Sequence, residues 1–159
     1  MPRFEPHPDR RTALSVVGLS LREAFTVLAG ADAPIDSLAQ TYKDQFFELR
    51  ADPARAEPFF PGAQAVVARY AARTDTMLGV ATGKSRRGVR HLFERAGWAD
   101  LFATVQTADD HPSKPAPDMI LAALSETGVA PSDALMVGDT SYDMAMAKTA
   151  GVRAIGVAW

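Results

Sequence analysis

The residues best suited to chemistry are two aspartates in the stretch Ala134-Leu-Met-Val-Gly-Asp-Thr-Ser-Tyr-Asp-Met144. The short apolar run over 134–137 lies between turn signals and reads as a buried parallel strand, being too short for a helix. A carboxylate at the carboxyl end of such a strand projects into the crevice where open α/β sheets bind ligands, and Asp139 stands there. Asp143 falls in the first turn of the following helix, which runs to about residue 150 with Thr140 or Ser141 as N-cap. Two hard oxygen ligands aimed at one spot suit Mg²⁺, with water and a phosphate oxygen filling its other positions. The same pair also fits a plain role, Asp139 capping the helix and Asp143 complementing its dipole. The stretch alone leaves both readings open.

A second candidate is Gly79-Val-Ala-Thr-Gly-Lys-Ser85, a strand end, a glycine turn and a helix start. Hydroxyl and backbone N–H groups at such a turn can cradle a phosphate, assisted by the helix dipole. An ordinary strand-to-helix turn with Ser85 as N-cap is the plain alternative. The Gly-Lys-Ser run invites comparison with a P-loop, which needs four residues between its first glycine and the Gly-Lys pair. Only Val80, Ala81 and Thr82 separate Gly79 from Gly83. One residue fewer removes the amide ring that wraps a β-phosphate, and nucleotide binding dependent on Lys84 would be needed to revive that reading.

The third candidate is Lys114 in His111-Pro-Ser-Lys-Pro-Ala-Pro-Asp118, between a strand and a helix. Three prolines stiffen the loop, and Pro115 biases Lys114 toward an extended backbone. A lysine held above the carboxyl edge of a sheet is a fixed counter-charge for phosphate, whereas an exposed loop lysine is the plain alternative. His91 and His111 have no partner at motif spacing and read as surface or helix-face residues.

The elements that must position these residues follow from periodicity. Residues 1–11 mix prolines with charges and predict a loose lead-in; Glu5, Asp9 and the prolines argue against a targeting helix. A capping box at Ser20-Leu-Arg-Glu23 starts a helix stopped by Gly30, and a second helix is predicted over 36–50 with Leu38, Tyr42, Phe46 and Leu49 on one face. Together they make a small helical module over 12–57, in which Tyr42, Phe46 and Phe47 are read as core rather than pocket lining. Prolines at 53, 58 and 61 mark a linker or hinge. Beyond it, from residue 58 to 159, strand and helix alternate. A helix over 62–73 burying Val66, Val67 and Tyr70 leads to strands over 77–81, 103–106, 134–137 and 153–157, with helices over 85–96, 117–127 and from Asp143 onward. Such alternation predicts a parallel sheet with helices on its faces.

Composition bounds the function. At 159 residues the chain fits one domain with a small appended module, and a net charge of -2 gives no footprint for nucleic acid or an anionic membrane. The absence of cysteine excludes disulfides and thiol chemistry. No apolar run is long enough to span a membrane and no signal-peptide pattern opens the chain, so a cytoplasmic location is the expectation.

Taken together, Thr82 at a strand end, Lys114 before proline and Gly138-Asp139-Thr-Ser-Tyr-Asp143 resemble, in order and spacing, the haloacid dehalogenase superfamily and its phosphoglycolate-phosphatase-like branch. Val17-Gly-Leu-Ser-Leu-Arg-Glu-Ala-Phe25 looks like that branch's helical cap. The resemblance implies a Rossmann-like parallel core plus cap, with Mg²⁺-dependent hydrolysis of a phosphomonoester through an aspartyl-phosphate. Carried over, Thr82 and the Gly83 amide would bind the transferring phosphoryl group and Lys114 would balance its charge against the nucleophile. Asp139 would ligate Mg²⁺, and Asp143 would support the metal directly or through water. Positioning and charge neutralisation are what phosphoryl transfer mainly needs.

The family's first motif, Asp-x-Asp-Gly-Thr/Ser, is not found. It would supply the nucleophile on a strand lying at the centre of the sheet, between those over 77–81 and 134–137, and neither Asp9 nor Asp109 and Asp110 can replace it. Without that strand its two neighbours must pair directly or leave apolar edges open to self-association. The expectation is therefore a phosphatase for a small phosphorylated metabolite such as phosphoglycolate, in a shortened or inactive form that keeps the phosphate and Mg²⁺ half-site. The alternative is a non-catalytic phosphate-binding or interaction module whose sheet edge pairs with a partner chain.

Overall fold

The computed structural model describes residues 8–50 and 58–158. Its first element is a surprise. The Asp9 side chain accepts a hydrogen bond from the Thr12 amide at 2.8 Å and opens helix α1 (Arg10–Ser15). The loose lead-in expected to residue 11 therefore ends earlier, because an acidic N-cap follows the prolines and satisfies an otherwise orphaned helix amide. Residues 1–7 of that lead-in lie outside the described residues, as do 51–57 of the expected hinge.

Helix α2 (Leu21–Ala29) starts as its capping signal predicts, with Ser20 Oγ accepting from the Glu23 amide, and stops at Gly30 with φ 85°. Helix α3 (Ile35–Arg50) packs against it, with Ala24 and Ala39 buried. The aromatic stripe is not the core that its spacing suggests. Tyr42 is 44% and Phe47 59% exposed. The rings instead pack on one another, Phe25 edge-on to Tyr42 at 6.0 Å and Tyr42 stacked on Phe46 at 5.5 Å, while the Arg87 guanidinium lies 4.4 Å over Phe47. A pair of helices shares a single face, and the aromatics at its margin stay wet.

Beyond the hinge come α4 (Ala63–Ala71), β1 (Gly79–Thr82), α5 (Arg86–Ala96), β2 (Thr104–Thr107), α6 (Asp118–Thr127), β3 (Leu135–Gly138), α7 (Ser141–Thr149) and β4 (Arg153–Gly156). Local chemistry sets the boundaries. Ser85 caps α5 through the Gly88 amide, Gly97 ends it in the left-handed region, and Gly128 ends α6 the same way. Val66 and Tyr70, expected to be buried by α4, are instead 55% and 41% exposed.

The strands form two parallel pairs. β1 pairs with β2, Gly79 opposite Thr104, and β3 pairs with β4, Leu135 opposite Arg153. Among the described residues β1 and β3 do not pair with each other, so the expected direct pairing is not seen and the core holds a split sheet of two parallel pairs. One set of side chains joins the halves from a single face. Met119 and Ile120 of α6 meet Met146, Ala147 and Ala150 of α7, and Ala81 of β1 and Met136 of β3 pack on this cluster. Strand alternation sends the neighbours of Ala81 and Met136 to the opposite face. There Val80 and Thr82 meet α5 around a cavity of about 170 Å³ with Phe93, Trp98 and Phe102, whereas Leu135 and Val137 are 51% and 57% exposed. The expectation of a buried strand over 134–137 is thus corrected: one face of β3 packs on the helix cluster through Met136, while Leu135 and Val137 on the other stay exposed.

Met146 has no exposed surface, whereas Val137 is more than half exposed. Met146→Ala should therefore lower unfolding stability in urea by about 2–5 kcal/mol, whereas Val137→Thr should shift it by less than about 0.5 kcal/mol.

Candidate functional site

Lys114 is buried, with only 7% exposure, and its ammonium donates to Asp143 Oδ1 at 2.6 Å. The Lys114-Pro115 peptide bond is cis. Asp143 is equally buried, and its second oxygen accepts from the Thr140 amide at 3.1 Å and the Thr140 hydroxyl at 2.8 Å. Thr140 Oγ1 in turn accepts from the Asp143 amide, so the two residues form a reciprocal capping box at the start of α7. The carboxylate thus serves as helix cap and as lysine partner at once. Burial opposes its charge, but the Lys114 ammonium and the two Thr140 donors outweigh that and hold its carboxyl below the usual carboxylate range.

Gly138 makes this arrangement possible. A Cβ at Gly138 would lie 2.7 Å from Asp143 Oδ2 and closer still to the Asp143 side-chain carbons, so α7 can start this near the strand end only behind a glycine.

Above the carboxyl ends runs a strap, residues 15–20, connecting α1 to α2. Tyr142 Oη donates to the Ser15 carbonyl at 3.0 Å and the Ser20 amide donates to Ser113 Oγ at 2.8 Å. A Cβ on Gly18 would come within 3.1 Å of the Thr140 side chain, and one on Gly83 within 2.9 Å of the Gly18 carbonyl and 2.8 Å of that of Leu19. The strap therefore touches all three loops singled out by sequence. On its Asp139 side a cleft of about 350 Å³ opens, walled by Leu14, Ser15 and Val17 and by Asp139, Thr140 and Tyr142. That size lies at the small end of the range for small-molecule sites.

Of the expected site residues, Lys114 and Asp143 are joined directly, and Asp139 stands beside them on the cleft wall. Thr82 and Gly83 lie across the strap. The Thr82 hydroxyl accepts from the Lys84 amide at 3.1 Å, closing the turn. Asp109 and Asp110 are engaged at the start of α5, where Asp109 accepts from the Arg86 amide at 2.8 Å and Asp110 from the Arg86 guanidinium at 2.6 Å. His111, read from sequence as a surface residue, is half-buried and bonds the Gln106 amide oxygen at 2.6 Å. The strap residues were missed by sequence reasoning, because contacts such as Tyr142 to Ser15 span 127 residues and leave no local signal.

The donor set tests whether the implied Mg²⁺ fits. Among the described residues, no three carboxylate or imidazole side chains converge. Asp143 has both oxygens committed, which leaves Asp139 from the expected pair. Mg²⁺ is commonly held by one or two carboxylates with water and substrate oxygens completing its shell, so Asp139 would be the carboxylate of this pair to reach the ion while Asp143 is tied to Lys114.

Comparison with known proteins decides the family. A haloacid dehalogenase-like hydrolase model matches residues 2–157. The chain belongs to that family. It is 37% identical to "Probable phosphatase IndB" of Dickeya dadantii, over 97% of this chain and 68% of that protein. It is also 37% identical to the phosphoglycolate phosphatase of Rhodospirillum rubrum, over 87% of this chain and 58% of that enzyme. Among solved structures, CbbY of Rhodobacter sphaeroides in complex with phosphate superposes with a TM-score of 0.76 at 26% identity, covering 94% of this chain and 70% of that one. The family makes the chain a hydrolase of phosphatase type by descent. The chain spans 68%, 58% and 70% of the length of these three proteins, respectively.

Removing either partner of a buried ion pair strands the other charge. Asp143→Ala should destabilise the fold by about 3–5 kcal/mol. Because the folded-state pKa of Asp143 is lowered, its contribution is present above the unfolded-state value and is lost as pH falls through the folded one. Chemical denaturation from neutral to acid pH should show this loss in the native chain and a flatter profile in Asp143→Asn. Equal slopes for the two would contradict it.

Proposed function

We propose that Thr82, Gly83, Lys114 and Asp139 form the phosphate-binding half of a phosphatase site for a small phosphomonoester such as phosphoglycolate. We further propose that this chain alone binds such esters without turning them over. The observation that carries the reading is the buried Lys114, pinned by Asp143 at the carboxyl edge of a parallel sheet beside a cleft of ligand size. A lysine so fixed meets a phosphate oxygen with little loss of side-chain freedom, and Thr82 with the Gly83 amide supplies neutral donors opposite it.

Turnover is a separate matter. Covalent phosphoryl transfer needs a carboxylate placed to attack in line, and among the described residues Asp143 is engaged with Lys114 and Asp109 and Asp110 with the start of α5, which leaves Asp139 the expected metal ligand rather than a nucleophile. The split sheet favours a second reading, a non-catalytic phosphate-binding or interaction module, since open strand edges are pairing surfaces.

The test is hydrolysis of a generic phosphate ester by the purified chain with Mg²⁺ supplied, alongside calorimetric titration with inorganic phosphate. Binding without turnover, weakened about tenfold or more in Lys114→Met, is the expected result. Turnover that disappears in Asp139→Asn would overturn the inactive reading. Phosphate binding unchanged in a folded Lys114→Met would overturn the half-site itself.

A further inference from the structure

Phosphate binding makes no direct use of the polar side chains buried along β2. Thr104, Gln106 and Thr107 are all buried there, where a strand of a parallel sheet ordinarily carries aliphatic residues. Strand alternation turns Thr104 and Gln106 to one face, and on it they are linked end to end. Thr104 Oγ1 donates to Glu126 Oε2 at 2.5 Å, Gln106 Nε2 donates to Thr104 Oγ1 at 2.8 Å, and Gln106 Oε1 lies 2.6 Å from His111 Nε2. Gly79 stands opposite Thr104 in the strand pair, and a Cβ on it would come within 2.9 Å of Thr104 Cγ2, so the glycine leaves Thr104 its place in the row. One end of the row is the exposed Glu126 in the last turn of α6. The other is His111, with only Pro112 and Ser113 between it and Lys114.

The direction of the row is set from Glu126. A carboxylate only accepts, so the single hydroxyl proton of Thr104 goes to it. The Thr104 oxygen then accepts from the Gln106 amide nitrogen, which leaves the Gln106 carbonyl oxygen facing His111. Only a proton on His111 Nε2 completes the row. The Thr104 hydroxyl, and after it the Gln106 amide, hold the Glu126 carboxyl below the usual carboxylate range, so this acceptor stays ionised at neutral pH.

We propose that Glu126, Thr104, Gln106 and His111 are positioning residues for Lys114, holding the backbone of its loop while Asp143 holds its ammonium. The inference deepens the phosphate half-site reading and rests on it. The loop is anchored in steps, Asp109 and Asp110 on α5, His111 on β2, Ser113 on the strap and Lys114 on α7. His111 is thus the last of these anchors to the sheet before the lysine. Pro112 fixes one backbone torsion and the Ser113 carbonyl accepts from the Ala116 amide at 3.1 Å, so a shift at His111 has little slack to absorb it before it reaches Lys114. A shifted loop leaves Lys114 to keep either its bond to Asp143 or its reach toward a phosphate oxygen. The buried pair is the costlier to break, so phosphate contact is what is lost.

Two measurements on the whole 159-residue chain test this. Nitrogen-15 NMR locates the proton on the neutral His111 ring. The native chain should show the Nε2–H tautomer alone, and the Nδ1–H form should appear in Glu126→Gln, because an amide both donates and accepts and no longer dictates the direction of the row. Calorimetric titration with inorganic phosphate reads the consequence at the site. His111→Leu should weaken phosphate binding about fivefold, the factor one hydrogen bond carries. His111→Gln, whose amide nitrogen can stand in for the Nε2 donor, should recover most of that loss. An Nδ1–H tautomer in the native chain, or unchanged tautomer populations in Glu126→Gln, would overturn the row. Phosphate affinity unchanged in His111→Leu, or not recovered in a folded His111→Gln, would overturn the positioning role and leave the half-site standing. Absence of phosphate binding by the native chain would overturn the half-site and the positioning role together.

Discussion

The ion pair between Lys114 and Asp143 is the constraint from which the rest of the carboxyl edge follows. Two buried charges 2.6 Å apart are tolerable only if each is fully bonded, and that requirement fixes three separate elements. Asp143 must sit in the first turn of α7, where Thr140 donates to its second oxygen. β3 must end in glycine so that α7 can start within contact of the strand. The loop before α6 must carry its lysine inward, between His111 and Pro117, rather than out to solvent. One electrostatic bond thereby ties the β2-to-α6 loop to the end of β3, so the two half-sheets are joined at their edge as well as by the Met119 and Met146 cluster beneath.

Much of this was legible in the sequence, for reasons of range. Ser85 and Gly97 bracket α5, Ser20 and Gly30 bracket α2, and Gly128 stops α6, because caps and stops act through hydrogen bonds within a few residues. The same locality made Asp143 and Thr140 visible as a helix start. What a local signal cannot carry is which face of an element finds a cover. Leu135 and Val137 read as buried because they are apolar, yet burial depends on a layer contributed from elsewhere in the chain, and among the described residues both stay about half exposed. Tyr42 and Phe47 went the same way. The strap is the extreme case, its bonds joining residues 93 and 127 positions apart. Helix α1 is the reverse: its Asp9 signal was present but read as one charge among prolines.

Asp143 also shows how one residue can be correctly located and still have its role left undetermined. Spacing alone aims it at the same spot as Asp139, and a carboxylate there suits a hydrated cation or a lysine equally. The structure gives it the lysine and two threonine donors, which hold its carboxyl below the usual carboxylate range. That leaves Lys114 partly neutralised by Asp143, yet a lysine has three donor protons and Asp143 Oδ1 receives one. Asp143 therefore fixes the direction of the ammonium without using all of its donors.

The split sheet and the strap belong to the same physical problem. A parallel sheet is stable when both edges of each interior strand are paired and both faces are covered. Among the described residues β1 and β3 do not pair, and what holds the two strand pairs together is the cluster on one face, where Met119 and Met146 have no exposed surface. Moving β1 relative to β3 would require repacking that cluster, at a cost of the order of a large core substitution, about 2–5 kcal/mol.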